Sequence, residues 1–338
     1  MDEEQFFNLY MKHYEERRPI SNHDLRAPIT EREMAGDIGI ELELEGEGLP
    51  TEGYIEITAG LKSMAFWRAI KDGSLRGGGR EYVLSAPCYL EEVSPLVYSL
   101  WRTFNTSGSI INNSNRCSTH VHVNVSGLKI NSLTSIVALW YTFERAIIQW
   151  CGEERIRNHF CLPLEDSAST LEAWERFLKS GERPGENIKY SALNVLPLWR
   201  QGSFEFRCGP AADTPELAIY FATFIKTFVD YAVEKYPNPV QIAYAVSEQE
   251  PSEIFKEICG RAGLEKLYDE VYHEGFNRER LEDFRNVQEL VYGVRWEEWI
   301  QEINKPFVVN PFAKKVKKQR VIQDIPPPVG LGAHSFTF

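Results

Sequence analysis

Residues 37–45 read DIGIELELE, and the alternation of apolar and acidic side chains in this stretch is the strongest structural signal in the chain. A period of two places successive side chains on opposite faces of a β-strand. One face then carries the apolar side chains Ile38, Ile40, Leu42 and Leu44, and the other carries Glu41, Glu43 and Glu45. We expect the apolar face to join the core of a half-buried sheet.

The acidic face of this strand has two interpretations. Carboxylates two residues apart lie about 7 Å from each other, where they repel by roughly 2 kcal/mol at an effective dielectric of about 20 and about 0.6 kcal/mol in bulk water. On an open, hydrated sheet face this repulsion is negligible, and the glutamates are ordinary surface residues. Inside a pocket, the same column favours divalent cations, and oxygen-rich ligands suit magnesium or manganese.

Other segments show weaker patterns of both kinds. Strand-like segments lie at 53–58, 80–85, 118–125 and 202–208. Helical spacing is present at 4–17, at 133–148 with Asn131 or Ser132 as N-cap, at 214–229 with Thr214 as N-cap and Pro215 at the first position, and within 251–302. Because the strands do not alternate regularly with helices, we predict an α+β fold with a largely antiparallel sheet rather than a doubly wound parallel one.

The polar faces of the later strands carry side chains that bind metals and anions. These faces consist of Glu81, Val83 and Ser85 on one strand, His120, His122 and Asn124 on the next, and Ser203, Glu205 and Arg207 on the last, and the carboxylates, imidazoles and guanidinium among them are the groups suited to metals and anions. An H-x-H pair alone is typical of surface histidines or of ligands to zinc or a non-haem metal. Arg207 among carboxylates favours a polyphosphate ligand, because a guanidinium pairs well with phosphate oxygens.

Composition disfavours several classes of protein. The chain has 338 residues, a formal net charge of −12 and six cysteines without a C-x-x-C pair, so a general nucleic-acid backbone binder and a disulfide framework are both disfavoured. No Walker or Rossmann glycine motif is present. No run approaches the about 18 apolar residues of a membrane span, and the N-terminus is too charged for a secretory signal, so we expect a cytoplasmic protein without membrane contact.

Six short motifs occur in an order that resembles a known family. They are GIELELE (39–45), KDGSL (71–75), GREYVLSAP (79–87), STHVHVNVSGL (118–128), YSALN (190–194) and SFEFRCG (203–209). Together they resemble the putative amidoligase family, carboxylate-amine ligases related to glutamate-cysteine ligase and glutamine synthetase. The resemblance extends over about residues 36–235.

The resemblance implies a glutamine-synthetase-like catalytic fold, in which a curved, largely antiparallel sheet has helices packed on its convex face. It implies that ATP and Mg²⁺, or Mn²⁺, bind on the concave face. The implied metal ligands are Glu41, Glu43, Glu81, His120 and Glu205, while Glu45 extends the acid column as a secondary candidate.

The remaining matched residues have implied roles around the nucleotide and the acceptor substrate. Arg207 would bind the phosphates and His122 would contact a phosphate or a metal, both as catalytic residues. Asp72, the third implied catalytic residue, and Ser74 would shape the site near the acceptor, and Asn194 would line it. Ser74 and Asn194 are, with Arg207 and His122, also the implied contacts of ATP. The resemblance does not identify the general base, for which the candidates are Asp72, Asp213 and Glu165.

The implied reaction has two steps. A substrate carboxylate attacks the γ-phosphate of ATP to give an acyl phosphate and ADP, and an amine then displaces phosphate to form an amide. The partners would therefore be ATP, a carboxylate and an amine, the last two being small molecules, peptides or a modified base. The alternatives are a metal-dependent hydrolase that uses the HxH and Glu site without ATP, a phosphotransferase on the same fold, and a degenerate ligase fold that acts as a binding protein.

The chain divides into three expected segments. Residues 1–35 form an N-terminal helix and lead-in, residues 36–304 the amidoligase-like catalytic domain, and residues 305–338 a basic tail with prolines and glycines. The tail has six basic residues against one aspartate, a net of +5, so residues 1–304 carry −17. It either covers the body or is disordered, or it contacts a partner or another subunit. Residues 153–190 form either an acceptor-side lid or a surface insertion with a short helix.

Overall fold

The computed structural model describes an α+β chain with one large sheet. It describes residues 36–51, 53–55, 67–125, 128, 130–156, 158–164, 170, 172–174, 176, 177, 184–198, 202–239, 241, 242, 245 and 251–266. The strands are β1 (Ile38–Leu44), β2 (Gly46–Glu47), β3 (Gly53–Ile55), β4 (Trp67–Lys71), β5 (Arg80–Leu84), β6 (Ile110–Ile111), β7 (Thr119–Asn124), β8 (Leu193–Asn194) and β9 (Ser203–Gly209). The helices are α1 (Leu90–Ser107), α2 (Ile130–Trp150), α3 (Pro215–Lys235) and α4 (Pro251–Arg261), with 3₁₀ turns at Glu153–Arg155 and Glu186–Tyr190.

Within the described residues, seven strands form one sheet in the order β3-β4-β5-β1-β7-β9-β8. Every pairing between neighbouring strands in this order is antiparallel. The predicted fold class is therefore confirmed. The sheet's likeness to glutamine synthetase stays a prediction.

Strand β1 is the central strand of this sheet, and its two-residue period places its apolar side chains on one face. Its apolar side chains Ile38, Ile40 and Leu42 are fully buried. Helix α3 packs against β1, β7 and β9, and α1, α2 and α4 pack against α3. Trp140 of α2 joins the layers, because its ring meets Phe206 of β9 and Phe228 of α3 edge-on, at centroid distances of 4.9 and 5.8 Å. Because the helices cover the apolar face of β1, its glutamates project from the opposite face, where they can form a site.

The predicted helix starts are partly correct. Helix α3 begins at Pro215, with Thr214 in an extended N-cap conformation. Helix α2 begins at Ile130, so the prediction that Asn131 or Ser132 caps it is wrong. Both residues lie in its first turn, where the carbonyl of Asn131 accepts a hydrogen bond from the Ser135 hydroxyl at 2.9 Å.

Several expected segments lie outside the described residues. They include the helix at 4–17, the tail at 305–338 and the part of 251–302 beyond residue 266. The boundaries at 35 and 304 therefore stay predictions. In the part of the chain that the structure describes, no helix combines the length and the apolar character needed to cross a membrane.

Candidate active site

Cross-strand register brings the predicted site residues onto one face of the sheet. Glu41 of β1 lies opposite His120 of β7, and Glu43 lies opposite Glu81 of β5. Glu205 of β9 lies opposite both His122 of β7 and Asn194 of β8. Directly opposite residues project from the same face of a sheet. The strands therefore assemble one cluster from segments that are far apart in sequence.

The carboxylate of Glu41 occupies the middle of this cluster. Its Oε2 lies 3.1 Å from Nδ1 of His120, and its Oε1 lies 3.1 Å from Nε2 of His122. Oε1 of Glu205 lies 3.6 Å from Nδ1 of His120 and 4.0 Å from Nε2 of His122. Both imidazoles therefore lie between two carboxylates from different strands.

A serine that the sequence analysis did not single out fixes the orientation of His120. The Ser118 hydroxyl donates a short hydrogen bond to Oε2 of Glu43, and it lies 2.8 Å from Nε2 of His120. Because the serine proton points to Glu43, a neutral His120 donates from Nε2 to the serine oxygen. Its Nδ1 then presents a lone pair to Oε2 of Glu41. Because the imidazole nitrogen and the carboxylate oxygen are both acceptors, this contact needs a proton or a cation between the two atoms.

Arg207 and Asn194 anchor Glu205 at the other side of the cluster. The guanidinium of Arg207 donates through Nη1 to Oε1 of Glu205, and Asn194 donates through Nδ2 to Oε2 at 2.6 Å. The β7–β9 register shifts next to Arg207, where β9 places an extra residue opposite His120. Such bulges redirect side chains at the edge of a site. Here the bulge lies at the residue expected to bind phosphate.

Burial raises the pKa values of three of the acids. Glu41, Glu43 and Glu81 have pKa values of about 8, 7 and 9, and loss of hydration is the largest cause for each. Repulsion between neighbouring carboxylates adds to the shift, as Glu205 acts on Glu41 and Glu41 acts on Glu81. Burial also opposes ionisation of Glu205, but the Arg207 guanidinium, His122 and Asn194 outweigh it and hold its pKa below the ordinary value.

The two histidines are neutral in this environment. Burial lowers the pKa of His120 well below its usual value, and the Arg207 and Arg155 guanidinium groups lower it further. Burial lowers the pKa of His122 to about 4, although Glu205 acts in the opposite direction. Only a neutral imidazole has a lone pair for a metal. Both histidines can therefore act as ligands at neutral pH.

The donor atoms form two overlapping groups that fit divalent cations. Glu41, His122 and Glu205 can direct one ligand atom each into a common space, and so can Glu41, Glu81 and His120, with all atoms of a group within 4.8 Å of one another. Glu41 belongs to both groups. Carboxylate oxygens suit Mg²⁺ and Mn²⁺, and added imidazoles also suit Zn²⁺. Glu43, which was also expected to be a ligand, is outside both groups and contacts the cluster through the Ser118 hydroxyl. Its Oε2 lies 3.7 Å from Nε2 of His120.

We expect the stability of the metal-free protein to fall as pH rises from 6.5 to 8. The folded state keeps protons on Glu41, Glu43 and Glu81 that the unfolded chain releases near pH 4.5, so raising pH through their folded pKa values favours unfolding. The histidines contribute mainly below this window. The expected loss is about 3 kcal/mol, measured by urea unfolding with a chelator present.

Two variants test the origin of that pH dependence. Glu81→Gln removes one of the three titrating groups and should flatten the curve, whereas Glu47→Gln, at an exposed position in β2, should leave it unchanged. A wild-type stability that is constant or rises over this pH range would contradict the assignment of raised pKa values.

The D-G-S turn lies at the end of β4, beside the acidic end of β1. Asp72 accepts the backbone N–H of Ser74 at 2.7 Å, and its charge raises the pKa values of Glu43 and Glu81. The Glu45 carboxylate accepts the backbone N–H of Arg76 at 2.6 Å. Glu45 therefore holds this turn in place, and Asp72 lies close enough to the cluster for its charge to act on Glu43 and Glu81, while the roles of Asp72 and Ser74 toward the acceptor stay predictions.

The other candidates for the general base lie in different surroundings. Asp213 is exposed and accepts a hydrogen bond from Asn113 at 2.9 Å, and Glu165 lies outside the described residues. Of the two candidates among the described residues, Asp72 is the one whose charge acts on the cluster.

The segment after α2 contributes two groups that the sequence analysis did not place in the site. Arg155 is only 1% exposed, and it donates to the carbonyls of Cys117 and Arg207 at 3.2 Å each. The carbonyl of Phe160 accepts a hydrogen bond from Nε of Arg207 at 3.3 Å. Arg155 therefore supports the backbone of β9 from a buried position. The lid hypothesis for the whole of 153–190 stays a prediction.

Comparison with known proteins agrees with the interpretation of the motifs. A family model described as putative amidoligase enzyme matches residues 81–216. The matched span contains Glu81, both histidines, Asn194, Glu205 and Arg207, whereas Glu41, Glu43 and Asp72 precede it. A search of curated proteins finds no match to the chain. The family match suggests an amide-bond ligase, and over residues 81–216 the chain is similar to the putative amidoligase enzymes, as its motifs indicate.

Proposed function

We propose that the protein is an ATP- and Mg²⁺-dependent carboxylate-amine ligase that forms an acyl phosphate and releases ADP. The observation that carries the proposal is the shared position of Glu41. It belongs to two ligand groups, and the Arg207 guanidinium pairs with Glu205 of one of them. Two cations held by these groups, next to the guanidinium, would suit a triphosphate with its high negative charge.

The residues present fit such cations. Glu41, His122 and Glu205 would hold one, and Glu41, Glu81 and His120 would hold the other, with Mn²⁺ as an alternative to Mg²⁺. The raised pKa values of Glu41 and Glu81 support this assignment, because such buried acids carry full charge only when a positive charge compensates them. Bound cations would neutralise phosphate charge and polarise the transferring group.

In the first step, Arg207 positions the γ-phosphoryl group and stabilises its charge. An oxygen of the substrate carboxylate forms a bond to phosphorus, and the bond from phosphorus to the bridging oxygen breaks with its electron pair going to ADP. Asn194 and Arg207 together hold Glu205 in place. The product is an acyl phosphate, in which the former carboxylate has a good leaving group.

In the second step, the nitrogen of an amine forms a bond to the acyl carbon, and inorganic phosphate leaves with the electron pair of the broken carbon–oxygen bond. The amine must lose a proton to become neutral in the amide. Asp72 lies next to the cluster and is the proposed acceptor of this proton. The acyl phosphate must also be kept from water until the amine arrives.

A direct test incubates the full chain with ATP, MgCl₂ and mixtures of carboxylates and amines, and follows ADP by coupled assay and amide by mass spectrometry. The expected result is ADP and amide in equal amounts, with no product when a chelator is present. Hydrolysis supported by Zn²⁺ without ATP would replace the proposal by the hydrolase alternative. ADP together with a stable phosphorylated product and no amide would indicate the phosphotransferase.

A further inference from the structure

A polar pocket of about 380 Å³ opens beside the ligand cluster. Its volume lies near the lower end of the range for small-molecule sites, about 300–1,000 Å³. The lining includes Arg76, Arg116, Asn115 and Asn158, from the turns after β4, β6 and α2. No step of the proposed reaction uses these four side chains.

The walls of this pocket are joined to the cluster by hydrogen bonds. Phe160 lines the pocket, and its carbonyl accepts Nε of Arg207 at 3.3 Å. Arg116 donates through Nη1 to the carbonyl of Ser74 at 2.6 Å. The backbone N–H of Arg76 binds the Glu45 carboxylate. A molecule in the pocket would therefore be next to the residues that are expected to act on the reacting group.

The charge of the lining favours an anion. Arg76 and Arg116 are both exposed, and no carboxylate among the described residues forms an ion pair with either guanidinium. Among the described residues of the lining, Glu154 is the one carboxylate, against the two arginines. The amides of Asn115 and Asn158 add neutral hydrogen-bonding groups. Guanidinium groups bind carboxylates and phosphates through charge-assisted hydrogen bonds.

We propose that this pocket holds a second anionic group of the carboxylate substrate, so that the ligase acts on an acid with another carboxylate or phosphate at its far end. This inference rests on the proposed function. In the proposed reaction, two bound cations and Arg207 would match the charge of the triphosphate. The guanidinium groups of Arg76 and Arg116, which form no ion pair with a carboxylate of the described residues, therefore suit a separate anion, which determines which acid is accepted.

The test measures binding of a dicarboxylate series to the full chain by isothermal titration calorimetry. Succinate, glutarate and adipate are compared with butyrate, in the presence of Mn²⁺ and a non-hydrolysable ATP analogue. We expect one of the dicarboxylates to bind at least about tenfold more tightly than butyrate. Arg76→Gln and Arg116→Gln should each weaken that dicarboxylate by about tenfold, because each removes a charge-assisted contact.

A variant that is expected to tighten binding and a matched control make the test more specific. Glu154→Gln removes a negative charge from the lining and should tighten dicarboxylate binding by a few fold. Arg102→Gln removes an exposed arginine on α1, outside the pocket, and should change nothing. Arg76→Gln is the cleaner of the two loss variants, since Arg116 also holds the Ser74 carbonyl.

The possible outcomes separate the pocket from the reaction. Weaker binding of the ATP analogue to Arg76→Gln and Arg116→Gln, with dicarboxylate affinity unchanged, would assign the arginines to the nucleotide and overturn the inference. Unchanged affinity for both ligands would also overturn it. Failure of the wild type to bind the ATP analogue would instead refute the proposed function, while dicarboxylate binding to the wild type and variants would still decide the role of the pocket.

Discussion

Replacing Glu41 by glutamine is expected to lower ATP-dependent amide formation by at least about a thousandfold and to make the metal-free protein more stable. The loss of activity follows because both ligand groups contain Glu41, so a single change weakens both proposed cation sites. The gain in stability follows because the carboxylate is buried and has a pKa of about 8, which makes its ionised form unfavourable in the folded state.

These two effects are measured by steady-state amide formation and by urea unfolding at pH 8 with and without Mn²⁺. Mn²⁺ should stabilise the wild type strongly and the variant little, since binding to the folded state adds to its stability. Glu47→Gln, at an exposed site on β2, is the matched control and should keep both activity and the response to Mn²⁺. If Glu41→Gln kept full activity, the proposed role of Glu41 as a ligand of both cations would be wrong.

Replacing Arg207 by glutamine is expected to lower the rate of ADP formation by about a thousandfold or more, while the protein still binds Mn²⁺. An arginine that stabilises charge on a transferring phosphoryl group contributes on the order of 10³–10⁵ in rate. Its removal leaves Glu41, Glu81 and His120 in place as one complete ligand group. Arg207→Lys should retain part of the activity, because lysine keeps the charge but not the planar set of donors.

Single-turnover ADP formation and Mn²⁺ titration by calorimetry separate the two roles. Loss of the ion pair with buried Glu205 will also lower stability, so circular dichroism should establish that the variants are folded. Arg261→Gln changes an arginine in surface ion pairs on α4 and is the matched control. If Arg207→Gln formed ADP at the wild-type rate, Arg207 would be a structural partner of Glu205 and no more.

Most of the candidate site could be predicted because it is built on strands. Side chains at i and i+2 share a face, so the residues of E-L-E, H-V-H and E-F-R had to project together once the strands paired. Pairing itself was not readable from the sequence, and neither was the contact of Ser118 with both Glu43 and His120. The Phe160 carbonyl and the buried Arg155 belong to an irregular segment without a period, so the sequence offered no signal for either.

Among the elements that the sequence did not predict, helix α1 and strand β4 were missed for definite reasons. Helix α1 contains Pro95 in its interior, a residue that normally ends a helix because it lacks an N–H. Burial of one face explains why the helix persists, since its side chains Val93, Leu96 and Leu100 are almost completely buried. Strand β4 reads WRAIK and is too short to show a clear period. Tertiary packing decided both elements, which local pattern does not show.

The central position of β1 in the sheet also affects how the chain folds during its synthesis. On a ribosome, residues 38–44 emerge long before β7, and the contacts of Glu41 with the two histidines span 79 and 81 residues of chain. Such distant pairings form slowly. Until they form, the strand is an unpaired edge with an apolar side, and its three charged glutamates discourage the association with other chains that such edges invite. Glu41, which is proposed to bind both cations, would therefore protect the nascent chain from aggregation together with Glu43 and Glu45.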